Sequence, residues 1–284
     1  MTAQRLDGHA IAERIKAKLA EDLRTLGGAV TPRLASIQVG DQAASALFLK
    51  AQARHAQALN IRVLPIQTLA SISQAELEAQ ICELNADGRV HGIFVQNPLP
   101  QHLDAQRISA VIDPAKDVEG IHPQNSARRF FAKGRIGSCT ALAVMELIEA
   151  TGIDLKGKEA VVIGHSEIVG RPVSMLLLDA LATTTVCHIG TTAAGRLTEH
   201  VKRAEVLVVA VGKPRMIKGD WINPGAVVID VGINVVGGKV VGDVEYETAA
   251  QHAAYISPVP GGVGPVTVMM VMHNLVEAFK LQRG

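Results

Sequence analysis

Residues 159–174 read EAVVIGHSEIVGRPVS. An apolar run, Ala160 to Ile163, ends at Gly164, and a second glycine, Gly170, follows six positions later. A short continuous apolar run suits a strand buried on both faces of a parallel sheet. The glycines suit a tight turn into a helix, where backbone N–H groups can meet a phosphate. The spacing is not GxGxxG, so by itself it fits a plain glycine turn almost as well. Two later segments add weight. Residues 206–214 read VLVVAVGKP and 226–234 read AVVIDVGIN, each an apolar run closed by a glycine, Gly212 and Gly232. Ligands of doubly wound sheets bind outside the carboxyl ends of the strands. Three glycine turns on that edge point to a dinucleotide.

An acidic residue at the end of the second strand of such a unit selects NAD, and an arginine nearby accommodates NADP. Residues 183–197 read TTTVCHIGTTAAGRL. No Asp or Glu is present, and Arg196 lies well past the strand. The residues leave NAD and NADP both open.

The rest of the chain repeats the alternation of strand and helix. Ile11, Ile15, Leu19 and Leu23 recur every four residues, as one helix face requires. RLASIQVG, IRVLPIQ and GIFVQ are strand candidates. Ser73 is placed to cap a helix running to about Asn85. Asp113 to Cys139 reads as irregular, and a helix is expected from about Ala141 to Thr151. Further helices are expected over Ile168–Leu181, Leu197–Arg203 and Thr267–Lys280. The fold class is therefore α/β, in two units hinged near residues 138–150. The expected division is 1–140, completed by a returning helix at 266–284, and 141–265 as a Rossmann-type doubly wound parallel sheet.

Composition narrows the function. The 284 residues carry 28 Lys and Arg against 27 Asp and Glu, a net charge of +1. That removes the electrostatic case for nucleic acid or an anionic membrane surface. No apolar run approaches the roughly 20 residues of a membrane helix. The three cysteines, Cys82, Cys139 and Cys187, show no metal spacing and read as buried reduced thiols of a cytoplasmic protein. The ten histidines form no HExxH, and no metal is expected.

SPVPGGVGPVT (257–267), VIGHSEIVGRPVS (162–174), AVGKP, DVGIN, VQNPLP (95–100) and KDVEGIHPQN (116–125) together resemble the bifunctional methylenetetrahydrofolate dehydrogenase/methenyltetrahydrofolate cyclohydrolase family over nearly the whole chain. The resemblance implies two α/β domains around a cleft, a tetrahydrofolate substrate, NADP or NAD as cofactor, and a homodimer. It places Gly164, His165, Ser166, Ile168, Gly190, Thr191, Gly212 and Ile233 at the cofactor. It places Phe48, Gln96, Glu119, Pro260, Gly261 and Gly262 at the substrate, with Gln52, Gln96, Phe48 and Glu119 in the catalytic set.

Several positions depart from the family pattern. The family usually shows Tyr-x-x-x-Lys where this chain has Phe48 and Gln52. Its pterin-binding aspartate falls on Glu119. Its PCTP turn is SCTA here, with Ser138 and Ala141 for the prolines. Its HSRT is His188-Ile189-Gly190-Thr191, without the arginine, and the loop to Leu197 is three residues longer than usual. Ser45 reads as a helix cap, and His122 as a structural hydrogen-bonding residue.

The two family reactions make different demands. Hydride loss from the one-carbon bridge needs chiefly positioning. Hydrolysis of the methenyl product needs proton transfers, which a lysine of lowered pKa can serve and a glutamine cannot. The expectation is a dehydrogenase with weak or absent cyclohydrolase. The alternatives are the full bifunctional enzyme, a silent folate-binding paralogue, or a hydride enzyme for a folate-like compound.

Overall fold

The computed structural model describes residues 2–27, 31–41, 43–131 and 133–283, the side chains of residues 43–47 excepted. In chain order the elements are β1 (Gln4–Arg5), α1 (Gly8–Thr25), β2 (Arg33–Val39), α2 (Ala43–Ala58), β3 (Arg62–Thr68), α3 (Gln74–Ala86), β4 (Gly92–Val95), α4 (Ala105–Val111), α5 (Pro123–Phe130) and α6 (Cys139–Glu149). There follow β5 (Glu159–Ile163), α7 (Gly170–Asp179), β6 (Thr183–Cys187), α8 (Ile189–Ala193), α9 (Leu197–Arg203), β7 (Val206–Val209), β8 (Val227–Asp230), β9 (Asn234–Val236), β10 (Lys239–Val241), α10 (Tyr246–Ala249), β11 (Tyr255–Ile256) and α11 (Val263–Leu281). The chain divides into two compact units. One comprises Met1–Glu13 and Thr140–Thr267, the other Arg14–Cys139 and Val268–Gly284.

The first unit holds a six-stranded sheet in the order β1-β11-β8-β7-β5-β6, with every pair parallel. Parallel order follows from the crossovers, since each strand returns through a helix or long loop to the same edge. Central strands β7 and β8 are buried at every residue, which is why their sequences are unbroken apolar runs. Side chains alternate between faces. Val161, Ile163, Leu207, Val209 and Val228 share one core with Val201, Ile217 and Ile256. The opposite edge is closed by β1, which is only two residues long and carries no periodic signal. Residues at the N-terminus thus group with this unit rather than with the 1–140 block expected from sequence. Gly237 and Gly238, both at positive φ, turn β9 into β10 as a tight hairpin.

The second unit is built on a three-stranded parallel sheet, β3-β2-β4. Ala35, Ile37, Val39, Ile93 and Val95 face one core with Leu77, Ile81 and Ile108. By alternation, Leu34, Ser36 and Gln38 of β2 and Phe94 of β4 point to the other face. Ser73 and Glu76 form a reciprocal capping box at the start of α3. Lys116 closes its far end: the ammonium donates to the carbonyls of Leu84, Asn85 and Asp87 at 3.1, 2.7 and 2.9 Å.

Several sequence expectations change. The segment 113–139 contains α5, started by Pro123 behind the His122 cap, whose Nδ1 accepts the Gln124 N–H at 3.0 Å. The single buried residue of α5, Asn125, is polar, so no apolar stripe marks the helix in the sequence. The two units part between Cys139 and Thr140, inside the stretch expected as the hinge, and the rest of that stretch is helix α6. Residues after β6, expected as a loop, include α8. The side chain of Ser45, read as a helix cap, lies outside the described residues. Cys82 is exposed on α3, whereas Cys139 and Cys187 are buried, and none is in a disulfide.

Candidate functional site

Phe48 and Gln52 project from successive turns of α2. The Phe48 ring stacks on Phe94 of β4, centroids 5.6 Å apart and planes 20° from parallel. Gln52 is fully buried. Its Oε1 accepts from the Ser36 hydroxyl at 2.9 Å and from Gln96 Nε2 at 3.1 Å. Gln96 Nε2 also donates to Ser36 Oγ at 2.9 Å. The three side chains close a ring of hydrogen bonds. Ser36 lies opposite Phe94 in the β2–β4 register, and the Gln96 N–H bonds Ile37 O at 2.8 Å, so the sheet itself delivers Ser36 and Gln96 to α2. No member of the ring titrates near neutral pH. Gln52 Nε2 is left buried without a partner among the described residues. Such an orphan typically costs about 1–3 kcal/mol.

The Glu119 loop is held from within. The Asp117 carboxylate accepts from the N–H groups of Gly120 and His122, each at 2.9 Å, and from Asn125 Nδ2 at 2.9 Å. Gly120 has φ +74°, and a Cβ there would collide with the Gly137 carbonyl. From α11, the buried Asn274 donates to the carbonyls of Val118 and Gly137 at 2.9 and 2.8 Å. The loop thereby presents Glu119, half-buried, to Asn97, whose Nδ2 donates to Glu119 Oε1 at 3.3 Å. Burial, reinforced by the Asp117 charge, pushes the Glu119 carboxyl up to about 8 against the pull of Asn97.

In the other unit, the three glycine turns lie on one edge, because β5, β7 and β8 are parallel neighbours. Gly164 has φ +114°, and a Cβ there would meet the Ala210 carbonyl. Ser166 Oγ accepts from the N–H of Val169 at 3.2 Å at the start of α7. Asp243, fully buried, accepts from the N–H groups of Val211 and Gly212 at 2.7 and 2.9 Å, so a distant acid shapes the β7 turn. Asp230, pushed up to about 6 by burial, accepts from Gly232, Asp243 and Val244. Ile168 and Ile233 are exposed, apolar and beside these turns. The rings of His165 and His188 lie 5.3 Å apart. His188 Nδ1 accepts the Gly190 N–H at 3.1 Å, and its own N–H donates to Thr191 Oγ1 at 3.2 Å. Arg196 pairs with Glu199 at 3.5 Å. Pro260, Gly261 and Gly262 belong to this unit, where Gly261 O accepts the Gly8 N–H at 2.9 Å.

Gln52, Gln96 and Phe48 are thus brought together. Ser36 and Phe94 join them, and Asn97 meets Glu119, without having been singled out in the sequence. The signal for Ser36 was present: RLASIQV sets Ser36 and Gln38 two apart in an otherwise apolar strand, hence on one face. Among the described residues no group of three or more His, Cys, Asp or Glu is placed to hold a metal ion. Nor is any helix long and apolar enough to cross a membrane.

Comparison with known proteins covers both units. Residues 6–119 match the tetrahydrofolate dehydrogenase/cyclohydrolase catalytic domain. Residues 138–283 match the tetrahydrofolate dehydrogenase/cyclohydrolase NAD(P)-binding domain. The bifunctional protein FolD 2 of Geobacter sulfurreducens is 46% identical over 278 residues, 97% of this chain and 96% of that one. The crystal structure of the bifunctional methylenetetrahydrofolate dehydrogenase/cyclohydrolase of Campylobacter jejuni has a TM-score of 0.92 at 41% identity, covering 98% and 99% of the two chains. The Trypanosoma brucei dehydrogenase-cyclohydrolase, solved with NADP and an inhibitor, has a TM-score of 0.93 at 36% identity, covering 99% and 98%.

Proposed function

Since the chain belongs to the tetrahydrofolate dehydrogenase/cyclohydrolase family, we propose that it takes hydride from methylenetetrahydrofolate, giving methenyltetrahydrofolate, and hydrolyses that product as a second, slower activity. The Geobacter relative is named bifunctional and the Campylobacter one by both activities, which favours a chain with two reactions over one that has lost hydrolysis. The observation behind the slower second step is the Ser36–Gln52–Gln96 ring, closed and without a titratable group.

When bound, NAD(P) supplies the hydride acceptor. Gly164, His165, Ser166 and Gly212, with Gly190 and Thr191 beyond β6, are the residues assigned to hold it. Ile168 and Ile233 offer apolar cover. The backbone N–H groups at the start of α7 suit a phosphate. Hydride departure leaves a cation shared by two folate nitrogens, and the chain's task is to orient the donor carbon and favour that charge. Phe48, backed by the buried Phe94, offers a stacking surface, and Glu119 a paired hydrogen-bonding group for the pterin, with Pro260, Gly261 and Gly262 also assigned to the substrate.

Hydrolysis needs a group that gives and takes protons. The Gln52 amide does neither, which typically forfeits on the order of 10²–10⁴-fold. Glu119, titrating near 8, is the assigned residue that exchanges a proton close to neutrality, and it supports a residual hydrolytic step. The homodimer implied by the resemblance is tested by light scattering.

The deciding experiment mixes pure protein with methylenetetrahydrofolate and either NAD or NADP, following reduced cofactor and methenyl product together. The expected result is prompt cofactor reduction, with methenyl product accumulating and then decaying faster than in buffer. Decay in step with its formation overturns the slow hydrolysis. Decay no faster than buffer overturns the second activity. Folate binding without turnover overturns the whole reading.

A further inference from the structure

Ser36 carries no assigned role, yet it is a fully buried hydroxyl in the centre of a sheet and the hinge of the hydrogen-bond ring. Its geometry bears on what Gln96 can offer a ligand. An amide has two donor hydrogens on nitrogen and an acceptor oxygen. The Ser36 hydroxyl has one hydrogen, and it is given to Gln52 Oε1. With that hydrogen given to Gln52, Ser36 offers Gln96 only its lone pairs, and Gln96 meets it with its nitrogen. The second Gln96 hydrogen goes to Gln52 Oε1. Both donors are then consumed, and Gln96 Oε1 accepts no hydrogen bond from any described residue.

We propose that Ser36 is a positioning residue that fixes the polarity of the Gln96 amide, turning its oxygen to the substrate as an acceptor only. The inference rests on the hydride-transfer reading. It deepens that reading by explaining why an uncharged cluster suits the reaction. As the C–H bond of the methylene bridge breaks and hydride leaves, positive charge grows on the bridge carbon and its two nitrogens. The negative end of a fixed carbonyl dipole stabilises that charge, whereas an NH₂ group in the same place opposes it. Preorientation matters because a dipole that must turn during the reaction loses part of its effect. The orphaned Gln52 Nε2 belongs to the same arrangement: Gln52 is held oxygen-inward by two donors, at the expense of its own nitrogen.

The test compares wild type, Ser36→Ala, Gln96→Ala and the double variant in the dehydrogenase assay, with substrate deuterated at the methylene bridge. Ser36→Ala removes one oxygen and leaves the strand backbone intact. It is expected to lower kcat by roughly tenfold, about one hydrogen bond's worth of orientation, with KM for folate unchanged. The isotope effect should rise as hydride transfer becomes more limiting. In the Gln96→Ala background the same substitution should do nothing further, because no amide is left to orient. A merely structural Ser36 lowers kcat equally in both backgrounds, and that result overturns the proposal. So does an active Ser36→Ala with wild-type kcat and isotope effect. Should Ser36→Ala not fold, Gln52→Met, which removes the acceptor of both donors, must show the same dependence on Gln96. An inactive wild type would instead defeat the functional reading itself.

Discussion

Asn97 Nδ2 reaches Glu119 Oε1 at 3.3 Å, a neutral hydrogen bond offered to a carboxyl that burial and Asp117 both push toward its protonated form. The folded protein therefore holds this proton more tightly than the unfolded chain. The group favours folding at pH below its ordinary value of 4.5, and that contribution is lost as pH rises through about 8. Glu119→Gln does not titrate. Its melting temperature should gain on wild type steadily from about pH 5 to about pH 9. Thermal melts across that range check it, and a constant gap would show that Glu119 ionises as an ordinary surface acid.

Gln52→Lys combined with Phe48→Tyr should accelerate hydrolysis of methenyltetrahydrofolate by on the order of 10²-fold or more. The buried setting of residue 52 disfavours a charged ammonium and so lowers its pKa into a useful range. Decay of methenyl product is the measurement. A double variant that folds, binds folate and hydrolyses no faster counts against the assigned geometry.

Asp243→Ala leaves the Val211 and Gly212 N–H groups without their acceptor. Each unpaired group costs about 1–3 kcal/mol where water cannot reach it. The variant should melt earlier and show a raised KM for the nicotinamide cofactor, while KM for folate stays put. Steady-state kinetics with each substrate varied in turn separates the two.

His165→Arg should favour NADP over NAD by about tenfold or more, the worth of one charge-assisted hydrogen bond to a phosphate. The ring of His165 already faces His188 beyond the end of β6, where ribose recognition is expected. The ratio of kcat/KM for the two cofactors is the readout, and an unchanged ratio removes His165 from the ribose site.

The sequence made the sheet strands legible because buried parallel strands leave unbroken runs such as Val206–Val209 and Val227–Asp230. It also located α3 and α9 closely, where Ser73 and the Leu197–Arg203 pattern mark the ends. It did not reveal β1, whose two residues depend wholly on β11 for partners. Nor did it reveal α5, whose one buried residue is the polar Asn125, or α8, whose five residues make little more than one turn. Of the amide cluster, Gln52 and Gln96 were legible through family resemblance. Ser36 was marked only as sharing a strand face with Gln38, and its place in the cluster appears once register sets it against Phe94 and its hydroxyl meets Gln96. Asp117 and Asp243 were not singled out in the sequence, and only the fold shows the backbone N–H groups they collect.

The Ser36 hydroxyl that donates to Gln52 is equally able to accept from an ammonium. Glutamine and lysine codons differ by a single base, as do those of phenylalanine and tyrosine. The hydroxyl therefore offers a partner to either occupant, while burial penalises only the charged one. A change to the tyrosine and lysine that the family resemblance implies is short in bases, and its cost falls on desolvation of the ammonium rather than on a lost hydrogen bond.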